Sequence, residues 1–288
     1  MTTTARVVAG IAFRNPILLA SGTAGYGREL SGVVDLDGIG GLVTKAVSLE
    51  PRHGNRAPRV AEFHGGMLNS VGLANPGVSA VLRDELPWLE AHHPGLPVLM
   101  NVVGFEIDEY AEVIRRTETG AGPAGYELNL SCPNTAAGGL EFGADERSLR
   151  DVVTRCRSAT SRPVFVKLSP VLPDVAAMGR TARDAGADGL TLVNTMPGFL
   201  SEGGTPRLGN GAGGMSGPAL RPVGLLAVRR TAAALPGFPI IGAGGIVTVD
   251  HVREYLDAGA SLVEIGTAAL ADPRLPQRLV DELEHRNG

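Results

Sequence analysis

The stretch from Gly125 to Thr135, G-Y-E-L-N-L-S-C-P-N-T, gathers the residue types best suited to chemistry. Tyr126 to Leu130 has the apolar content and length of a buried parallel strand, and Pro133, lacking an N–H, cannot continue its ladder. Polar Asn129, Ser131, Cys132 and Asn134 therefore fall at a strand's carboxyl end, where α/β barrels place their reactive groups. The asparagines offer donors and acceptors to a planar, amide-like ligand. Cys132 is the side chain here that can serve as nucleophile and as proton acceptor near neutral pH. The competing reading is a small buried thiol between turn residues.

Other apolar runs end in the same way. Asn101 closes one, and Val193-Asn194-Thr195 closes another. A buried amide without partners is costly, so Asn101, Asn129 and Asn194 read as the hydrogen-bonding frame of a ligand. Lys45, in Val43-Thr44-Lys45-Ala46, directly follows a buried run and is otherwise a rim cation. The loop from Gly65 to Gly77 contains Asn69, Ser70, Val71, Gly72 and Leu73, and its glycines let backbone N–H groups approach a carboxylate. Lys167, in Val164 to Leu168, is open to three uses: pairing with an anionic flavin ring, Schiff-base chemistry on a carbonyl, or a salt bridge. Gly244 and Gly245 in I-I-G-A-G-G-I, and Gly266 and Thr267 in E-I-G-T-A, follow two late strands, the usual barrel site for a phosphate. Ser216-Gly217-Pro218 adds a glycine before a helix start.

These groups need a scaffold that points strand ends at one place. Short apolar runs at Ile17 to Ala20, Gly41 to Thr44, Pro97 to Asn101, Tyr126 to Asn129, Val164 to Leu168, Gly189 to Val193, Pro239 to Ile241 and Leu262 to Ile265 make eight candidate strands. Helical periodicity separates them, clearest in Ser148 to Ala159, Asp174 to Ala185, Val223 to Ala234 and Val249 to Ala258. D-A-G-A at Asp184 recurs at Asp257, each time with a glycine suited to closing a helix before the next strand. The order predicts an α/β fold, a (β/α)₈ TIM barrel with a short N-terminal β-hairpin, spanning residues 1–288 as one domain. Gly203 to Gly217 reads as a mobile loop.

Composition narrows the function classes. Twenty-six basic and thirty acidic residues give a net charge of -4 with no basic run, so a nucleic-acid partner is not expected. Two cysteines, Cys132 and Cys156, are too few for an iron–sulfur cluster, and no histidine pair has zinc spacing, so no metal is assigned. No export signal and no apolar run of roughly 20 residues is present, which predicts a cytoplasmic chain without a membrane anchor.

Taken together, N-P-I-L-L-A-S-G-T at Asn15, T-K-A-V-S-L-E-P-R at Thr44, M-L-N-S-V-G-L-A-N-P-G at Met67, N-L-S-C-P-N, L-V-N-T, G-G-M-S-G-P-A-L, G-A-G-G-I and E-I-G-T-A resemble the FMN-dependent dihydroorotate dehydrogenases of the soluble class. Cysteine at Cys132 differs from the serine typical of the membrane-associated class, while the stretch Ser131 to Gly143, ending in L-E-F-G, and G-A-G-G-M-S-G-P-A-L look more like the heteromeric, NAD-linked subclass than the fumarate-linked one. The resemblance implies oxidation of dihydroorotate to orotate in pyrimidine biosynthesis, with Cys132 as catalytic base. It also implies a homodimer core and a second subunit carrying FAD and an iron–sulfur cluster. Ser21, Lys45, Ala46, Asn101, Asn129, Lys167, Val193, Gly217, Gly244, Gly245, Gly266 and Thr267 would surround FMN. Lys45, Asn69, Ser70, Val71, Gly72, Leu73, Asn129, Asn134, Asn194 and Thr195 would hold the substrate. One departure is the segment from Met196 to Asn210, which lacks the more basic pattern of the subclass. The alternatives are a flavoprotein acting on another reduced pyrimidine, and a Schiff-base lyase using Lys167.

Overall fold

The computed structural model describes residues 5–120, 122–130, 133–134 and 140–285. Among them, eight parallel strands close into a barrel: β1 Ile17–Leu19, β2 Gly41–Val43, β3 Val98–Val102, β4 Gly125–Asn129, β5 Val164–Leu168, β6 Gly189–Leu192, β7 Ile240–Ala243 and β8 Leu262–Ile265. Each pairs with its neighbours in sequence, and Val263 lies opposite Ile17 where β8 meets β1, so the sheet has no open edge. All eight expected runs are strands. Around them lie α1 Leu86–His92, α2 Ile107–Thr117, α3 Glu146–Ala159, α4 Val175–Asp184, α5 Arg221–Ala234, α6 Val249–Asp257, α7 Thr267–Ala271 and α8 Leu275–His285. Between β1 and β2, two single helical turns, Arg28–Leu30 and Leu36–Gly38, stand where a regular repeat would put a helix.

Local sequence explains the ends of these helices. The side chains of Asp145, Asp174 and Thr248 accept hydrogen bonds from the backbone N–H groups of Ser148, Ala177 and His251, capping α3, α4 and α6. Gly186 and Gly259, the glycines of the repeated D-A-G-A, have φ of 105° and 109° and let the chain turn into β6 and β8.

Alternation along the strands sorts the core into two shells. Ile17 and Leu19, Val164, Val166 and Leu168, and Val263 and Ile265 join the helices in the larger apolar cluster. Leu18, Val43, Leu99, Phe165, Ile241 and Leu262 form a second cluster with Val8, Ile11 and Phe13. Those last three belong to the N-terminal hairpin of Arg6–Val8 and Ile11–Phe13, which thus plugs the barrel at the strands' amino ends.

At the opposite end, a four-stranded antiparallel sheet is assembled from the loops after β2 and β6. Its order is Met196–Phe199, Ala212–Ser216, Gly66–Asn69 and Val60–Phe63. The expectation of a mobile loop from Gly203 to Gly217 is corrected here, because Ala212–Ser216 is an inner strand paired on both sides. Its glycines serve close approach. A Cβ on Gly213 would lie 2.4 Å from the Asn69 carbonyl oxygen, and one on Gly214 would lie 2.1 Å from Thr195 Oγ1. No helix among the described residues is long and apolar enough to cross a membrane.

Candidate active site

Two residues along from the apolar floor, the same inward-facing alternation delivers a polar layer: Asn101 after Leu99, Lys167 after Phe165, and Glu264 after Leu262. Glu127 of β4 and Thr191 of β6 complete it. All five are buried. Lys167 Nζ lies 2.8 Å from Glu264 Oε2 and 3.3 Å from Glu127 Oε1. Glu127 also accepts from Asn101 Nδ2 at 2.7 Å and from Thr191 Oγ1 at 2.8 Å.

Burial would raise the pKa of both carboxyls, but their surroundings differ. At Glu127, the Lys167 ammonium and the donors around it outweigh burial and hold the carboxyl below its ordinary value. At Glu264, burial and then the neighbouring Glu127 charge push the carboxyl up to about 8, with Lys167 offsetting only part. Burial would lower the pKa of Lys167, yet the two carboxyls reverse this and hold it protonated. Of the three uses open to Lys167, the structure shows the salt bridge. An ammonium locked between two carboxyls has no free electron pair for Schiff-base formation, so the lyase alternative loses its amine.

Above this layer the strand ends converge. Asn129, the last residue of β4, accepts a hydrogen bond at Oδ1 from Asn194 Nδ2 at 3.2 Å, and Asn194 Oδ1 accepts from the Thr195 N–H at 2.8 Å. The Asn129 carbonyl accepts from the Tyr110 hydroxyl at 3.0 Å. Val193 is tied to β7 through Ala243 O at 3.1 Å. Lys45 donates its backbone N–H to Gly25 O at 2.8 Å, and the Ala46 carbonyl accepts from the Tyr26 hydroxyl. Ser21 follows β1, next to Ala20, whose Cβ is the nearest neighbour to a side chain built on Gly266, at 3.6 Å. The loop expected to grip a carboxylate is organised from its own side. Asn69 Nδ2 donates to Gly214 O at 3.1 Å, Ser70 Oγ accepts from Asn55 Nδ2 at 2.8 Å, Val71 O accepts from the Asn55 N–H, and Leu73 O accepts from Asn75 Nδ2 at 2.8 Å. Gly72 has φ 72°, and a Cβ there would fall 2.6 Å from Asn55. Cys132 lies outside the described residues. Asn134 is described only as the backbone partner of Leu140.

After β7 and β8 the glycine turns form a cradle that side chains would fill. Gly244 and Gly245 have φ of 118° and 71°, and Gly217 has φ 98°. A Cβ on Gly245 would sit 2.8 Å from both Gly217 O and Arg221 Cβ. Thr267 Oγ1 donates to Ser216 Oγ at 2.8 Å, joining the turn after β8 to the four-stranded sheet. Tyr255 of α6 supports the cradle from below, its buried hydroxyl donating to Gly244 O at 2.7 Å. Tyr255→Phe is expected to cost about 0.5–1.5 kcal/mol of stability, read from the denaturant midpoint. A deficit of Leu-to-Ala size would mean that the ring's packing, not the hydroxyl, had been disturbed.

The description of the dihydroorotate dehydrogenase family matches residues 3–286. The chain belongs to the dihydroorotate dehydrogenase family. It is 47% identical over 281 residues, covering 97% of this chain and 91% of the relative, to a Solibacter usitatus protein named putative dihydroorotate dehydrogenase A (fumarate). It is 44% identical over 279 residues, 96% of this chain and 90% of the relative, to a Geobacter protein named dihydroorotate dehydrogenase B (NAD(+)), catalytic subunit. A Cutibacterium acnes protein with that second name is 41% identical over 287 residues, 99% of this chain and 93% of the relative. As a member of this family the chain is an oxidoreductase that oxidises dihydroorotate in pyrimidine biosynthesis. The two kinds of relative differ in the electron acceptor their names print.

Glu127, Glu264 and Thr191 escape a reading by strand ends because they sit inside strands. The signal for them is alternation: Glu127 is two residues before Asn129, and Glu264 two before Gly266.

Proposed function

We propose that the flavin of this dehydrogenase is FMN and that its phosphate rests on the backbone N–H groups of Gly244, Gly245, Gly266 and Thr267, with Gly217 beside them. Lys167, Asn101, Asn129, Lys45, Ala46, Ser21 and Val193 surround its ring system. The observation that carries this reading is the cradle formed by Gly217, just before α5, with Gly244 and Gly245, just after β7: three glycines at positive φ, with no side chain over the backbone N–H groups there. A buried Asn101 Oδ1 without a partner in the polar layer fits a ligand that donates a hydrogen bond. When bound, FMN supplies the acceptor for the hydride leaving C6 of dihydroorotate.

The chain's own groups do the rest. Cys132, as thiolate, removes the proton from C5, so that orotate's ring double bond forms as the hydride departs. Asn129, Asn134, Asn194 and Thr195 clamp the polar edge of the pyrimidine, and Lys45 with the N–H groups of Asn69 to Leu73 meets the carboxylate. In this reading residues 1–288 act as one catalytic unit in the cytoplasm. It forms a homodimer core and passes electrons to NAD through a second subunit bearing FAD and an iron–sulfur cluster. The relatives named as NAD(+) catalytic subunits support the second-subunit arrangement.

The test is the visible spectrum of the purified chain without oxygen, before and after dihydroorotate. A flavin band that bleaches supports cofactor and substrate together, while a yellow protein that stays yellow sinks the substrate assignment. Gly245→Ala should weaken FMN binding about tenfold or more, because a side chain at φ 71° costs about 1–3 kcal/mol and its Cβ would strike Arg221 and Gly217. Fluorescence titration of the apoprotein measures this, and an unchanged dissociation constant would move the phosphate elsewhere.

A further inference from the structure

The polar layer contains one ammonium and two carboxyls, and charge counting leaves it one proton short of neutrality. The side chains of Glu127 and Glu264 have no solvent exposure and that of Lys167 has 8%. An uncompensated charge at such a place costs several kcal/mol. The donors are shared unequally. Glu127 takes three, from Asn101, Lys167 and Thr191. Glu264 takes Lys167 at Oε2, and its Oε1 is buried without a partner. Three donors are what a buried carboxylate needs, whereas a neutral acid is far cheaper to leave poorly solvated.

We propose that Glu264 is the neutral member of this layer and acts as a positioning residue, storing one proton whose binding is linked to the charge on the flavin beside Lys167. The proposal rests on the FMN reading for Lys167. A hydride from dihydroorotate brings two electrons and one net negative charge, so with a reduced flavin beside Lys167 the field there would be more negative and Glu264 would hold its proton more firmly. Where Glu264 is ionised in the oxidised enzyme, it then forms an O–H bond with a proton taken from solvent. No other bond changes at Glu264.

Few other groups can account for such a proton. The charged groups facing Glu264 are Lys167 from β5 and Glu127 from β4, and Glu127 in turn is held by Thr191 from β6 and Asn101 from β3. The strands flanking β8 are β7, I-I-G-A, and β1, I-L-L, and neither carries a titratable residue. Glu127 itself is held ionised by its donors and by Lys167.

The test uses the FMN-loaded enzyme and reads protons taken up per flavin reduced, from the pH dependence of the flavin midpoint potential. In the wild type this number should rise by one across the window around pH 8, and Glu264→Gln, which fixes the neutral shape, should abolish the rise. A rise that persists in Glu264→Gln, or a wild type without one, overturns the proposal. Infrared spectroscopy of the purified chain without added cofactor separates this from failure of the FMN reading. A buried carboxylic-acid carbonyl band at neutral pH, absent in Glu264→Gln and kept in Asp272→Asn, supports the stored proton even if FMN does not bind. If no such band exists, Glu264 is ionised and the proposal falls.

Discussion

Cys132→Ala is expected to yield a yellow protein that dihydroorotate no longer bleaches on the timescale of turnover. β4 ends at Asn129, whose side chain is fixed by Asn194, and the chain then runs through Leu130 and Ser131 to Cys132 before Pro133. A general base three residues beyond the amide clamp is close in sequence to the pyrimidine that the clamp would hold. Removing a base of this kind lowers the rate about 10²–10⁴-fold, because proton removal from carbon then falls to water. The cradle glycines, Gly217, Gly244 and Gly245, lie far along the chain from Cys132, so flavin content should be unchanged. Anaerobic stopped-flow mixing, following the flavin band, isolates this half-reaction from any electron acceptor. A free thiol with a pKa near about 8.5 further requires the wild-type rate of bleaching to rise toward alkaline pH. Near-normal reduction in Cys132→Ala would remove the thiol from the chemistry.

Eight strands are legible in the sequence because each is a short apolar run bounded by glycine, proline or asparagine, and closure follows from the repeated β then α order. The glycines after β7 and β8 are legible for a similar reason, since glycines after late strands have few structural uses other than tight turns or a close ligand. The four-stranded sheet across the mouth is not legible. Its inner strand, A-G-G-M-S, has the composition of a loop, and only contact with Asn69 and Thr195 shows that its glycines are there to admit neighbouring chain. The charged layer falls between these cases. Lysine at a strand end advertises Lys167, but its partners come from β4 and β8, separated from it by 40 and 97 residues. Local patterns cannot pair residues at such range. Inward alternation would have narrowed the search, since a buried lysine demands a carboxyl and only Glu127 and Glu264 are acidic residues within barrel strands.

That dependence makes Lys167→Met a strongly destabilising change. The thioether matches the stem's volume but leaves Glu127 with no cation and Glu264 beside it, and breaking a buried pair in this way costs about 3–5 kcal/mol. The loss should depend on pH in a definite direction. Without the ammonium both carboxyls have folded-state pKa values raised above their unfolded ones, so each binds protons more tightly when folded. Their contribution is fully present below the unfolded carboxyl pKa and is lost as pH rises through the raised folded values. The variant should therefore approach wild-type stability in mild acid and fall further behind toward the alkaline side. Urea unfolding at several pH values measures the gap, and a gap that does not widen with pH would mean that packing rather than charge had been lost. Adding Glu127→Gln to Lys167→Met removes the remaining carboxylate and should restore part of the stability at neutral pH. Such a recovery would be a coupling energy between two residues 40 positions apart in sequence, joined only through the barrel's interior.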